Sequence, residues 1–116
     1  MTYDDIDALC RGLPGVTTDI KWGNDRVYSI GEKMFLVMRE QGRDEGGLSF
    51  KVAPERFLEL TDRPGISPAP YLAKHHWVLL ASPAALPGNE LAALLRASYD
   101  LVLARLPKRF QASLRQ

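Results

Sequence analysis

The sequence predicts an α+β fold, an antiparallel sheet with helices packed on one of its faces. Three observations predict it. Residues 16–52 run as strand-like segments separated by turn residues. Apolar residues recur at helical spacing before that block and again near the end of the chain. Between them, Pro54 opens a short helical run, and a later segment closes on Trp77-Val78-Leu79-Leu80. The order α-β-β-β-β-α-β-α gives an α-β(4)-α-β-α chain whose helices cover one side of the sheet.

Each element has a local cause. Thr2 can cap a first helix, with Asp4 and Asp5 in the first turn, where negative charge suits the dipole. Ile6, Leu9, Cys10 and Leu13 form its apolar stripe, and Gly12 with Pro14-Gly15 ends it. Val16 to Trp22 is a first strand, closed by Gly23-Asn24-Asp25. Arg26 to Ile30 is a second, and Gly31-Glu32 is a hairpin turn into a third, Lys33 to Arg39. Glu40 to Gly47 is a polar hairpin tip. In the fourth strand, Leu48 to Val52, the residues Leu48, Phe50 and Val52 share a face opposite Ser49 and Lys51. This meander has one wet face. Pro54 fits a helix start over 54–61, with Phe57, Leu58 and Leu60 available to the core. Asp62 to Pro70 reads as an ordered connector, Tyr71 to Ala81 as a return to the sheet, and Ser82 to Gly88 as a loop. Asn89 then caps the longest helix, whose seam is Leu91, Leu94, Leu95, Ser98, Leu101 and Val102, and Pro107 ends it.

Composition bounds the function. The 116 residues suit a single domain over 1–116, with a core of about 3–107 and a basic tail, 108–116. Such a chain buries roughly two-thirds of its unfolded surface and needs no disulfide or metal to fold. The net charge is +1. A nucleic-acid binder with so little net charge must segregate its charges onto one face. The single cysteine, Cys10, points to a reducing compartment. An acidic N-terminus and no apolar run of membrane length make the expected localisation cytoplasmic, without a membrane partner.

No catalytic constellation emerges. Cys10 lies on an apolar stripe, so packing is favoured over nucleophilic chemistry. His75 and His76, adjacent on an expected strand, point to opposite faces and make a poor metal pair. Asp4, Asp5, Asp7 and Asp19 read as solvated charge rather than a cation site. Catalytic residues, metal ligands and cofactors are therefore all expected to be none. The more coherent signal is basic residues interleaved with aromatics. Lys21-Trp22, Lys33 with Phe35, Phe50-Lys51 and Lys74-His75-His76-Trp77 all fall on or beside expected strands. Amines can hold phosphates and rings can stack on bases. The competing reading puts the rings in the core and the lysines on the wet face.

Ordered motifs run nearly end to end. They are Leu13-Pro14-Gly15-Val16, Lys21-Trp22-Gly23, Gly31-Glu32-Lys33-Met34-Phe35, Leu48-Ser49-Phe50-Lys51, Pro54-Glu55, and Pro64-Gly65-Ile66 with Pro68-Ala69-Pro70-Tyr71. Lys74 with Trp77-Val78 and Ser98-Tyr99-Asp100-Leu101-Val102 leading to Leu106-Pro107-Lys108 complete the set. In order and spacing, over about residues 9–109, the chain resembles the MmcQ/YjbR family. The resemblance implies a fold related to secretion-chaperone-like and frataxin-like architectures. It also implies a DNA-binding protein with a double wing of β-hairpins, and brings no enzymatic activity or cofactor. Carried over, the matched positions are Lys21, Lys33, Lys51, Lys74 and Lys108, with Trp22, Tyr71, Trp77 and Tyr99. The tip 40–47 holds three acids and one base, which phosphate would repel. The expected contact is therefore the sheet face or the basic tail.

The expected partner is nucleic acid, DNA before RNA. Lys21, Lys33, Lys51 and Lys74, joined by His75 or His76 and by Lys108-Arg109, would meet phosphate. Trp22 or Trp77 would stack on a base if exposed. One rival is a protein-interaction module, chaperone-like or dimerising. Another, by distant analogy to frataxin, is a small-molecule or metal-handling domain using the acids of the first helix.

Overall fold

The computed structural model describes residues 1–39 and 47–114. The expected hairpin tip thus lies, but for Gly47, outside the described residues. Among them six strands form one antiparallel sheet: β1 (Val16–Lys21), β2 (Asp25–Ile30), β3 (Lys33–Arg39), β4 (Leu48–Lys51), β5 (Ile66–Pro68) and β6 (Trp77–Leu80). Their spatial order is β1-β2-β3-β4-β6-β5. Among the described residues four helices accompany them: α1 (Tyr3–Arg11), α2 (Pro54–Thr61), α3 (Gly88–Leu103) and α4 (Lys108–Ser113). The α+β class and the antiparallel sheet agree with the sequence reading.

Local chemistry explains most boundaries. Thr2 and Asp5 form a reciprocal capping box at the start of α1, with the Asp5 N–H donating to Thr2 Oγ1 at 3.0 Å. Pro54 opens α2. Gly31 and Glu32 both adopt positive φ, 57° and 67°, as a two-residue hairpin turn requires. A Cβ on Gly31 would lie 2.7 Å from Leu106 Cδ1, so another residue there would have to displace the Leu106 side chain as well as adopt a positive φ.

Several expectations need correction. The connector 62–70 contributes the short edge strand β5, which pairs Ile66 with Leu80. The segment 71–81 is a strand only over Trp77–Leu80; Ala73–His75 is a 3-10 turn and His76 is left-handed, with φ 64°. The opposite-faces argument for the two histidines therefore does not apply. α3 begins at Gly88 after Pro87, so Asn89 lies inside the helix rather than at its cap. Tyr99 takes a buried place on α3, whereas Leu101 is only half-buried. Leu58 faces solvent at 79% exposure. The basic stretch after Pro107 forms α4, and its Phe110 packs against the core.

Register sorts the sheet into two faces. Tyr28, Leu36, Phe50 and Val78 are successive cross-strand neighbours on the helix-covered face, all fully buried. A bulge after Tyr28 lets Phe35 and Leu36 both enter the core. It leaves Met34 opposite Ser29. The uncovered face carries the alternate row, Val27, Val37, Ser49 and Leu79.

Candidate nucleic-acid interface

Two concavities adjoin at Met34, one at an end of the sheet and one on its uncovered face. The first lies where β3 begins, β4 ends and β6 begins, beside the C-terminal end of α3. Its volume is about 430 Å³, and Lys33, Lys51, His75 and Arg105 line it, with Trp77 and Met34 as apolar wall. Among the described residues no acidic side chain lines it.

Lys51 is anchored through both its backbone and its side chain. Ser98, fully buried on α3, donates from its hydroxyl to Phe35 O at 2.8 Å and accepts from the Lys51 N–H at 3.1 Å. One side chain thus completes both backbone groups where β3 and β4 part. The Lys51 ammonium donates to His75 O at 2.7 Å, which ties β4 to the turn before β6. Burial, and secondarily the Arg105 charge, hold its pKa below the ordinary lysine value. A bound anion would relieve both penalties. α4 meets the same end of the sheet, since Phe110 and Leu106 lie against Gly31, and Lys108 and Arg109 are exposed at its start.

The second concavity is an apolar groove of about 640 Å³ across the uncovered face. Met34, Val37, Ser49 and Leu79 contribute to its lining, as do Trp22 and Tyr71. Trp22 is 68% exposed and Tyr71 97% exposed. Both have left-handed backbones, at φ 52° and 65°. Such a backbone costs a non-glycine residue about 1–2 kcal/mol. Gly47 at the groove wall also has positive φ, and a Cβ there would come within 2.2 Å of Leu80 O. Met34 borders both concavities.

The structure brings some of the expected site residues together and separates others. Lys33, Lys51, His75 and Trp77 share the first concavity. Trp77 is only 4% exposed, so it forms a wall and cannot serve as a stacking platform. Lys21 stands at the far end of the sheet opposite Asp25, in a small hollow with Asp19 and Glu32. Lys74 is exposed but lines neither concavity. His76 packs edge-on against Phe57, with ring centroids 5.6 Å apart, and is split from His75. The site gains Arg105, Met34 and Tyr71, none of them among the residues expected to bind. The family motif gave a signal for Met34 and Tyr71. Arg105 gave none beyond its charge.

The remaining reactive groups have structural partners. Cys10 is fully buried, and burial, aided by the Asp7 charge, pushes its thiol up to about 12. Asp7 accepts from Tyr28 Oη at 2.5 Å and from Arg11 Nε at 2.8 Å. Tyr99 donates from its hydroxyl to Pro14 O at 2.6 Å, which makes it a structural tie between α3 and the turn before β1. Among the described residues no group of three His, Cys, Asp or Glu side chains could hold a metal ion.

The YjbR family model matches residues 11–101. The chain belongs to the YjbR family. A YjbR-like relative of known structure is the Deinococcus radiodurans protein DR2400, described as a DUF419 domain. It is 31% identical, with a TM-score of 0.87 over 97% of this chain and 87% of that one. A Pseudomonas syringae protein shares the fold, with a TM-score of 0.72 at 21% identity over 88% of this chain and 99% of that one. No curated protein matches the chain. Among the described residues, no helix of this YjbR protein is long and apolar enough to cross a membrane.

Proposed function

We propose that this YjbR protein is a non-enzymatic nucleic-acid-binding domain, acting on DNA, that holds phosphate at the cationic end of its sheet. One observation carries the reading. Lys33, Lys51, His75 and Arg105 arrive from four separate parts of the chain at one concavity that no described acid lines. Charge so placed compensates for a net charge of only +1, because phosphate responds to the local field rather than to the total. The partly desolvated Lys51 adds to this, since an anion restores what burial removes.

The test is binding to a labelled DNA duplex and to its single strand across a salt series, followed by fluorescence anisotropy. Affinity should fall as salt rises, with the slope set by the number of phosphates engaged. Lys33→Glu with Lys51→Glu should weaken binding about 100-fold and flatten that slope. Unchanged affinity in this double variant would remove the assignment.

A second reading, a protein-interaction module, is favoured by the apolar groove and by the exposure of Leu58. It expects a dimer by light scattering and no response to DNA.

A further inference from the structure

The phosphate reading leaves the groove beside the cationic end without a role. We infer that the groove between Trp22 and Tyr71 receives unpaired nucleobases, so that the protein selects single-stranded over duplex nucleic acid. This rests on the nucleic-acid reading and adds the form of the ligand.

The groove suits flat rings better than phosphate. Met34, Val37 and Leu79 offer an apolar lining that phosphate would not enter. Its volume of about 640 Å³ falls within the range of pockets that enclose ring-sized ligands. The largest exposed rings of the protein, Trp22 and Tyr71, belong to the same groove. Stacking on such rings is open to every base because every base has a π-face. Polar groups within reach of base edges are few. Ser49 offers a hydroxyl, while Asp25 and Arg39 lie 3.9 Å apart as a partly exposed ion pair.

Charge and continuity identify the occupant. Met34 lies on the boundary between the groove and the concavity that holds Lys33, Lys51, His75 and Arg105. A strand with its phosphate at the cations would carry the adjoining base past Met34 into the groove. A purely apolar peptide would leave Lys33, Lys51 and Arg105 unanswered, and a duplex would keep its base faces stacked inside the helix. The left-handed backbones of Trp22 and Tyr71 agree with this use. Both residues are mostly solvent-exposed, so burial of their rings does not account for the strained conformation.

The experiment compares a dT oligonucleotide with a hairpin duplex of equal phosphate number at one salt concentration. Anisotropy should show the single strand binding at least about tenfold tighter. Trp22→Ala with Tyr71→Ala should lose that advantage and keep the weaker duplex binding. Both side chains are exposed, and far-ultraviolet circular dichroism would verify the fold of the variant. An independent readout needs no variant. Of the two tryptophans, Trp77 is buried, so acrylamide quenching reports chiefly on Trp22, and added oligonucleotide should shield it. Equal affinity for both forms, or an aromatic variant indistinguishable from the wild type, would overturn the base site and leave the phosphate site standing. Binding of neither form would overturn both. Shielding of Trp22 that follows protein concentration instead of oligonucleotide would overturn the inference and identify the groove as a self-association surface.

Discussion

On the helix-covered face of the sheet, Tyr28, Leu36, Phe50 and Val78 lie side by side at 0% exposure. The chain neighbours of these residues, Val27, Val37, Ser49 and Leu79, form the adjacent row on the other face, and the last three remain partly open. Both rows are largely apolar, yet only the first is sealed by α1 and α3. The uncovered row with its two exposed aromatics is more apolar surface than a wet sheet face needs. The comparison separates residues that build the fold from residues the fold leaves available.

Breaking the covered face should have the largest effect. Phe50→Ala is expected to cost about 3–5 kcal/mol, because the loss of buried area is compounded by a cavity. Leu79→Ala, on the uncovered face, should cost only about 1 kcal/mol. Urea denaturation midpoints for the pair measure the contrast, and similar losses would mean that the second face is also sealed. Ser98→Ala comes next. It strips partners from Phe35 O and the Lys51 N–H, at about 1–3 kcal/mol, and the same variant should weaken DNA binding by loosening Lys51. Equal DNA affinity in that variant would show that the Ser98 bridge serves folding alone. The smallest change should run in the opposite direction. Tyr71→Gly relieves a left-handed backbone and should raise stability by up to about 1 kcal/mol while reducing single-strand binding. A destabilised Tyr71→Gly would show that the ring contributes to the fold despite its exposure.

Much of the fold was legible because its causes are local. Thr2 with Asp5, Gly31-Glu32 and Pro54 specify a cap, a turn and a helix start through a few neighbouring atoms each. The misreadings came where local signals were weak or competing. Tyr71 to His76 is aromatic and basic enough to pass for a strand, but a 3-10 turn and a left-handed His76 interrupt it. Leu58 fits the apolar count of α2, yet it falls on the face turned to solvent. The candidate site was legible in part. Lys33, Lys51, His75 and Trp77 stand out in the sequence as basic residues beside aromatics, whereas the burial of Trp77 depends on segment 69–76 folding back, where Ala69 and Leu72 exchange backbone hydrogen bonds with it.

The α+β class, the hairpin meander, the starts of α1 and α2 and the family were all readable from the chain alone, because periodicity, turn chemistry and ordered motifs act over short stretches. Which basic residues and which histidine meet depends on long-range pairing. Residues 33, 51, 75 and 105 are far apart in sequence. They converge because β4 pairs with both β3 and β6 while α3 ends beside them. The bulge beside Phe35 turned Met34 toward the boundary of the two concavities, a one-residue offset that no alternation pattern foretells. Burial and proximity are long-range properties, and in this protein they separate the wall, Trp77, from the exposed ring, Trp22.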